Sequence, residues 1–580
     1  MKEILRYKEK RAIISVQIEL YLLNTIKKMK KLCFIIPPHV TFGDFISPSS
    51  AHKHVKKEDG KMYGNLVTDM PLGPLALSSY LKKFISIQTS LIDFNVDLTK
   101  IKSFEFKSFL EYFISYLSGD NVNDEPDIIA ISSLFSPSYD SLIDISKACR
   151  SIFPNACIIA GGNIPSTMFR EIFLNKNSKI DAICYGEGEK PLLELLTASD
   201  YEQVFDNGDS WITSRKINSN LLYEPKHDFI EDLDEIPIYD YGLCKDNYFI
   251  NPAFTTYGGV QKKNASIHVM TSRGCPFKCV FCASHKVHGR KMRYYSIDRV
   301  KEEFRYLKEK RGVETLIFQD DHFMGDKKRA LEIVRYVGSL GLKAIFQNSL
   351  ALYALNREML EAIREAGVDQ LVLSIESGSD RVLKRGKRKP LELSIVEQVA
   401  KDCRDLGIYT YANILIGLPG ETKDDIEDAR KFLRTTYANW FGIFCATPLV
   451  GSEMFDICKE NNYLGADYLG ADYKKAVVET EDWTAEYIQE MTYTFNIELN
   501  FVYNSDFRIG DYTSALEGFE RAIKAKSDHA IAYYYASLCY KKLNMSEESN
   551  RCENKYNEYV KNPFWKKFVQ KYDLPEAILN

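Results

Sequence analysis

From residue 31 to about 195 the chain alternates short apolar runs with longer stretches whose apolar positions recur every three or four residues. The runs lie at 32–36, 89–94, 128–132, 156–160 and 180–184. Their length and near-continuous apolar character fit strands buried on both faces. Helical stretches such as 73–84 and 139–152 intervene. This alternation predicts a doubly wound parallel sheet with a ligand crevice at the carboxyl ends of its strands. Those ends carry Ser132-Ser133, Gly161-Gly162 and Gly186-Glu187-Gly188. A polar stretch at 200–262, punctuated by Pro225, Pro237 and Pro252, reads as a linker. A second alternation follows, with strands at 266–270, 315–318, 344–346, 371–375, 412–416 and 442–446. Six strand–helix units predict a partial parallel barrel with its chemistry at the carboxyl ends of the strands.

The pattern sets limits of 1–28 for an N-terminal extension, 29–199 for the sheet domain and 200–262 for the linker. It sets 263–455 for the barrel, 456–499 for an extension and 500–580 for a small all-α tail, giving an α/β protein with helical ends. Met29 is a second candidate start. In the tail, Gly510 to Leu516 with Phe519, Ala522 and Ile523 fits the helix-pair pattern of a tetratricopeptide repeat, and a partial copy begins at Ala532. So short an array leans on the barrel or on a protein partner. The pentapeptide YLGAD occurs twice, at 463–467 and 468–472, and reads as a loop duplication.

Charge adds little. Lys and Arg total 76 against 80 Asp and Glu, a net charge of −4, which favours neither a nucleic-acid nor a membrane partner. The basic run Lys384 to Lys389 reads as a solvated face. No segment reaches the ~18 consecutive apolar residues of a membrane span, and the first residues do not resemble a secretory signal. Thirteen mostly scattered cysteines fit a reducing cytoplasm in which a few thiols bind metal, rather than a disulfide framework.

Three of those cysteines change the picture. Cys275, Cys279 and Cys282 are spaced to wrap one corner of an iron–sulfur cube and leave one iron without a protein ligand. About 0.006 such triplets are expected by chance from 13 cysteines in 580 residues. A Cys₃His zinc site using His285 is the alternative, although structural zinc sites usually join two separated ligand couples. Further motifs follow in order: Leu316 to Phe323 (LIFQDDHF), Ser374 to Ser379 (SIESGS), Ile414 to Glu421 (ILIGLPGE) and Thr447 to Ser452 (TPLVGS). Over about residues 30–455 the chain resembles the radical S-adenosylmethionine (SAM) superfamily, in the subfamily with an N-terminal cobalamin-binding domain. Ser374 stands where that family more often has Gly, and Val450 replaces a Pro.

The resemblance implies a four-iron four-sulfur cluster on the three cysteines. It implies SAM contacts from Phe281, Gln319, Asp320, Glu376, Ser377, Ile416 and Gly417. Cobalamin would lie against Ser132, Ser133, Gly161, Gly162, Gly186, Glu187 and Gly188, although Gly161 to Ser166 departs from the subfamily's commoner turn. The cobalt-ligating pattern DxHxxG matches only at Asp320, His322 and Gly325, on a barrel strand, and reads as coincidence. The implied reaction is reductive cleavage of SAM to a 5′-deoxyadenosyl radical, with cobalamin-dependent methylation of an unactivated carbon. Rearrangement, oxidation or thiolation without methyl transfer is the alternative enzyme. A degenerate cofactor-binding scaffold is the non-enzymatic one. The implied partners are an external electron donor such as flavodoxin or ferredoxin and a small-molecule or peptide substrate.

Overall fold

Apolar runs long enough for a strand but too short for a helix become the spine of the first domain. The computed structural model describes residues 29–48, 54–66, 69–119, 121–122, 124–220, 222–244, 248, 265–465, 468 and 473–578. The assigned extension at 1–28 and much of the YLGAD duplication lie outside them. Strands β1 (Lys30–Ile36), β2 (Ile87–Asp93), β3 (Ile128–Ser132), β4 (Cys157–Gly161), β5 (Ala182–Cys184) and β6 (Trp211–Ile212) form one sheet of order β2-β1-β3-β4-β5-β6. All pairs are parallel except β5 with β6. The β3–β4 register sets Ser132 beside Gly161, so the strand-end turns predicted to form the crevice do stand together.

The stretch read as linker from residue 200 opens with elements of this sheet. Helix Tyr201–Asn207 leads into β6, whose Trp211 and Ile212 are fully buried. Two residues give no periodicity to read, which is why the sequence pattern passed over this edge strand. Further on, Ile230, Leu233, Ile236 and Tyr239 are buried in the core that fills the barrel, so this segment is a packed strap rather than a free tether.

The barrel has six parallel strands in two ladders: β7 (Ser266–Val269), β8 (Thr315–Phe318) and β9 (Lys343–Phe346) in order β9-β8-β7, then β10 (Gln370–Glu376), β11 (Tyr409–Ile416) and β12 (Trp440–Cys445). The intervening helices carry standard end signals. Ser296 and Asp326 cap helices Ile297–Arg311 and Lys327–Ser339, and Thr422 with Asp425 forms a capping box.

Residues after 473 close the barrel's open edge. Asn500 donates to and accepts from the backbone of Phe441 on β12, which satisfies an edge strand that would otherwise present unpaired groups. Glu498, fully buried, accepts from Arg430 at 2.9 and 3.0 Å, from Arg434 at 2.8 Å and from the Tyr572 hydroxyl at 3.0 Å. The tail is a run of helices: Tyr512–Ala525, Ala530–Lys542, Ser546–Tyr559 and Pro563–Lys571. Replacing Glu498 with Ala strands Arg434 and leaves Arg430 only Glu427, and is expected to cost about 3 kcal/mol, the lower end for a buried pair because both arginines are partly exposed. Chemical denaturation measures this, and an unchanged midpoint would show that the carboxylate does not hold the tail.

Candidate active site

The three cysteines sit in a loop fixed at its base by a two-residue ladder. Ser272 pairs with Tyr294 and Arg273 with Arg293, antiparallel, so that residues 274–292 bulge out as one unit beyond β7. The loop turns at once through Gly274, which has φ +89°; a β-carbon there would lie 2.3 Å from the Lys291 carbonyl oxygen. The Cys282 amide donates to the Cys279 carbonyl at 3.2 Å, closing the turn that carries the last two thiols. Cys275, Cys279 and Cys282 are half-buried, whereas nine of the other ten cysteines are buried.

Burial pushes the Cys275 thiol up to about 12 and that of Cys279 up to about 11, the latter opposed by the nearby Lys389 ammonium. Metal binding must therefore displace protons. Among the described residues no three His, Cys, Asp or Glu side chains converge as a single ion requires. A polynuclear cluster, held at separate corners, asks instead for spaced soft thiols, and this loop carries three within eight residues. His285 begins the short helix His285–His288, and burial beside Arg290 and Lys286 lowers its imidazole to about 4.

The other predicted SAM residues gather at the strand ends around this loop. Glu376 ends β10 at φ +67°, a left-handed conformation rare outside glycine and characteristic of functional strain. Its carboxylate meets Lys389 at 3.1 Å. Ser377 is buried and its hydroxyl accepts from the Ser379 amide. Ile416 ends β11 and is buried, while Gly417 turns the chain at φ +88°, where a β-carbon would be 2.8 Å from Ile488. Phe281 is half-buried against the barrel core.

Two predicted contacts are engaged elsewhere. Asp320 accepts from the Thr271 amide and hydroxyl and from the Ser272 hydroxyl at 2.6–3.1 Å. Burial raises its pKa, with those donors and Arg329 acting against it. Its carboxylate thus ties the end of β8 to the root of the cluster loop. Gln319 donates to Gln347 at 2.8 Å and meets His268 Nδ1 at 3.0 Å, inside a polar group at the barrel mouth. His322 packs edge-on against Phe277 and contacts the Tyr353 hydroxyl, so the DxHxxG match stands in the barrel and apart from the sheet crevice.

That crevice is a cleft of about 670 Å³, counting its open mouth, at the carboxyl ends of β1, β3, β4 and β5. Ser132, Gly161, Gly162, Gly186, Glu187 and Gly188 line it. Ser133 does not; its hydroxyl turns inward to Ser138 at 2.6 Å. Gly73, also in the wall, has nothing within 4 Å of where a β-carbon would sit, so a side chain there would fill open space. Apolar walls and bare backbone suit the flat face of a mostly apolar ligand. The opposite wall comes from the cluster loop itself: Arg273, Val287 and His288.

What joins the two walls is Glu187. It is 4% exposed, and Arg293 grips it through both terminal nitrogens at 2.7 and 2.8 Å. Arg273 lies 3.3 Å away and His288 Nδ1 2.8 Å away. Arg273 also pairs with buried Glu189 at 2.8 Å. Burial alone would raise the Glu187 pKa, but the two guanidinium groups and His288 outweigh it and hold the carboxyl well below the usual range. The Glu187 carboxylate is thus bound from the barrel side, while the residue also lines the cleft. The partner arginines lie 86 and 106 positions along the chain, and no local pattern announces them.

Residues 269–433 match the description of the Radical SAM superfamily, and residues 71–196 match the B12 binding domain. An uncharacterized methyltransferase of Pyrococcus horikoshii is 32% identical over 345 residues, which cover 59% of this chain and 71% of that protein. The chain belongs to the radical SAM superfamily and carries a B12-binding domain. Two solved structures share the fold of this radical SAM protein. The methyltransferase TsrM of Kitasatospora setae, with cobalamin and an iron–sulfur cluster bound, aligns with TM-score 0.54 at 15% identity over 75% of this chain and 76% of that one. The radical enzyme OxsB, with aqua-cobalamin bound, aligns with TM-score 0.51 at 16% identity over 94% and 76%. The cofactors of this radical SAM enzyme are a four-iron four-sulfur cluster, SAM and cobalamin, and an electron donor is required. Among the described residues no helix is long and apolar enough to cross a membrane.

Replacing Glu187 with Ala leaves Arg293 buried and unpaired, at a cost of about 3–5 kcal/mol falling on the base of the cluster loop. The variant is expected to hold less iron and sulfide per chain after anaerobic reconstitution. Full cluster content would show that the loop stands without its clamp.

Proposed function

We propose that this enzyme methylates an unactivated carbon, using cobalamin in the sheet cleft and SAM at the cluster. The supporting observation is the shared wall: the loop holding Cys275, Cys279 and Cys282 also lines the cleft through Val287 and His288. When bound, the cluster supplies one electron to SAM and cobalamin supplies a transferable methyl group. The chain's own residues hold, orient and enclose. Cys275, Cys279 and Cys282 hold the cluster. Glu376, Ser377, Phe281 and the Ile416-Gly417 turn seat SAM, and the cleft glycines let backbone approach the corrin. Asp320 and Gln319 act on SAM through the strand ends and polar groups that they fix.

The tail from Tyr512 onward is read as a tetratricopeptide-like helix pair turned inward as a brace. Gly518 supports this, because it packs so closely on the Trp440 indole that a β-carbon would be 2.5 Å away. Thirteen cysteines with no disulfide among them suit a reducing cytoplasm, where a flavodoxin or ferredoxin would deliver the electron.

The test is anaerobic reconstitution with iron, sulfide and hydroxocobalamin, then addition of SAM and a strong reductant. Production of 5′-deoxyadenosine with cobalamin retained through gel filtration is expected, and Cys279→Ala should abolish the nucleoside product. Nucleoside formation by a protein that retains no cobalamin would reject methyl transfer. Continued formation by Cys279→Ala would reject the cluster assignment.

A further inference from the structure

The basic run at 384–389 contains one lysine that is not on the surface. Lys387 is completely buried. It follows the wide turn Val382–Gly386, and its amide donates back to Val382 at 2.6 Å. Its ammonium donates to two main-chain carbonyls, that of Glu376 at 2.6 Å and that of Leu415. Its own carbonyl accepts from the Val280 amide at 3.2 Å, between Cys279 and Phe281.

These partners share a pattern. The β10–β11 ladder slips between Ser374 and Glu376, just where Glu376 enters its left-handed conformation. Lys387 joins the two strands again past the slip, beside the shifted pair Glu376 and Ile414 that ends the ladder. Leu415 immediately precedes Ile416 and Gly417. One side chain and its own backbone therefore touch all three elements that surround the SAM position: the cluster loop, the end of β10 and the end of β11.

Glu421 faces the same spot. One carboxylate oxygen accepts from the Gly417 and Leu418 amides at 2.7 and 3.1 Å, and the other is buried with no partner. Burial lowers the Lys387 ammonium to about 8, with Glu421 and Glu376 pulling it back up. An ammonium has three hydrogens and two are committed here, which leaves unused bonding capacity on both sides of the Gly417 turn.

We propose that Lys387 is a positioning residue for SAM, fixing Glu376 and the Ile416-Gly417 turn through their backbones. The proposal rests on the SAM site described under Proposed function. A purely architectural lysine would also brace the sheet, so the test must read the ligand as well as the fold.

Wild type, Lys387→Met and Lys387→Gln are reconstituted anaerobically. Each is assayed for iron and sulfide, for SAM affinity by equilibrium dialysis, and for the change SAM makes in the electron paramagnetic resonance of the reduced cluster. Lys387→Met is expected to keep the wild-type cluster content, bind SAM about tenfold more weakly and lose most of the spectral change. A loss of that size is in keeping with two carbonyls left unpaired. Lys387→Gln, which can still donate to one carbonyl, should fall between. Wild-type affinity and spectra in Lys387→Met would overturn the proposal. So would loss of the cluster in both variants, because the residue would then be holding the loop. A fully loaded wild type that shows no response to SAM would remove the SAM site itself, and this proposal with it.

Discussion

Two arginines and one glutamate decide where everything else in this enzyme can sit. Arg273 and Arg293 are the paired rungs at the base of the cluster loop, and both are turned on Glu187 from the sheet domain. With Glu189, the second partner of Arg273, four buried charges balance in sign, and an unpaired one would cost several kcal/mol. The loop, the cleft and the turn between Cys184 and Glu189 therefore form one geometric unit, although they belong to separate sequence blocks. The same logic recurs at the far side of the barrel. There Glu498 gathers Arg430, Arg434 and Tyr572, and Asp506 gathers Arg404 and Asn439.

Hydrogen bonding extends this control to the strand ends. Asp320 secures Thr271 and Ser272, the residues immediately before Arg273. Lys387 gathers the carbonyls of Glu376 and Leu415 where the ladder slips. The residues that shape the site are thus often not the ones that face it. The left-handed backbone at Glu376 is held by Lys387 on its carbonyl and Lys389 on its carboxylate.

This division explains what was legible in the sequence. Strands at 128–132 and 315–318 and the helix at 139–152 form over those residues, because burial on both faces or on one stripe leaves a local imprint. The cysteine triplet stands out in the sequence because its three thiols fall within eight consecutive residues. Long-range pairings leave no such imprint. Glu187 looked like part of a glycine-rich ligand turn, and only the fold reveals Arg293 beside it. The motif around Asp320 points to a ligand contact, yet its carboxylate is occupied by Thr271 and Ser272. Lys387 was hidden in a run of cations, where composition suggested solvent and the fold provides none.

The spacing of the clamp also bears on how the protein is born. Glu187 leaves the ribosome 106 residues ahead of Arg293, and until that arginine arrives the carboxylate has reason to stay in water. The sheet domain then stands for a time with its cleft open on the side that Val287 and His288 later close. Until residues 273–293 have been made, the sheet domain lacks both its arginine partners and the wall that completes its cleft.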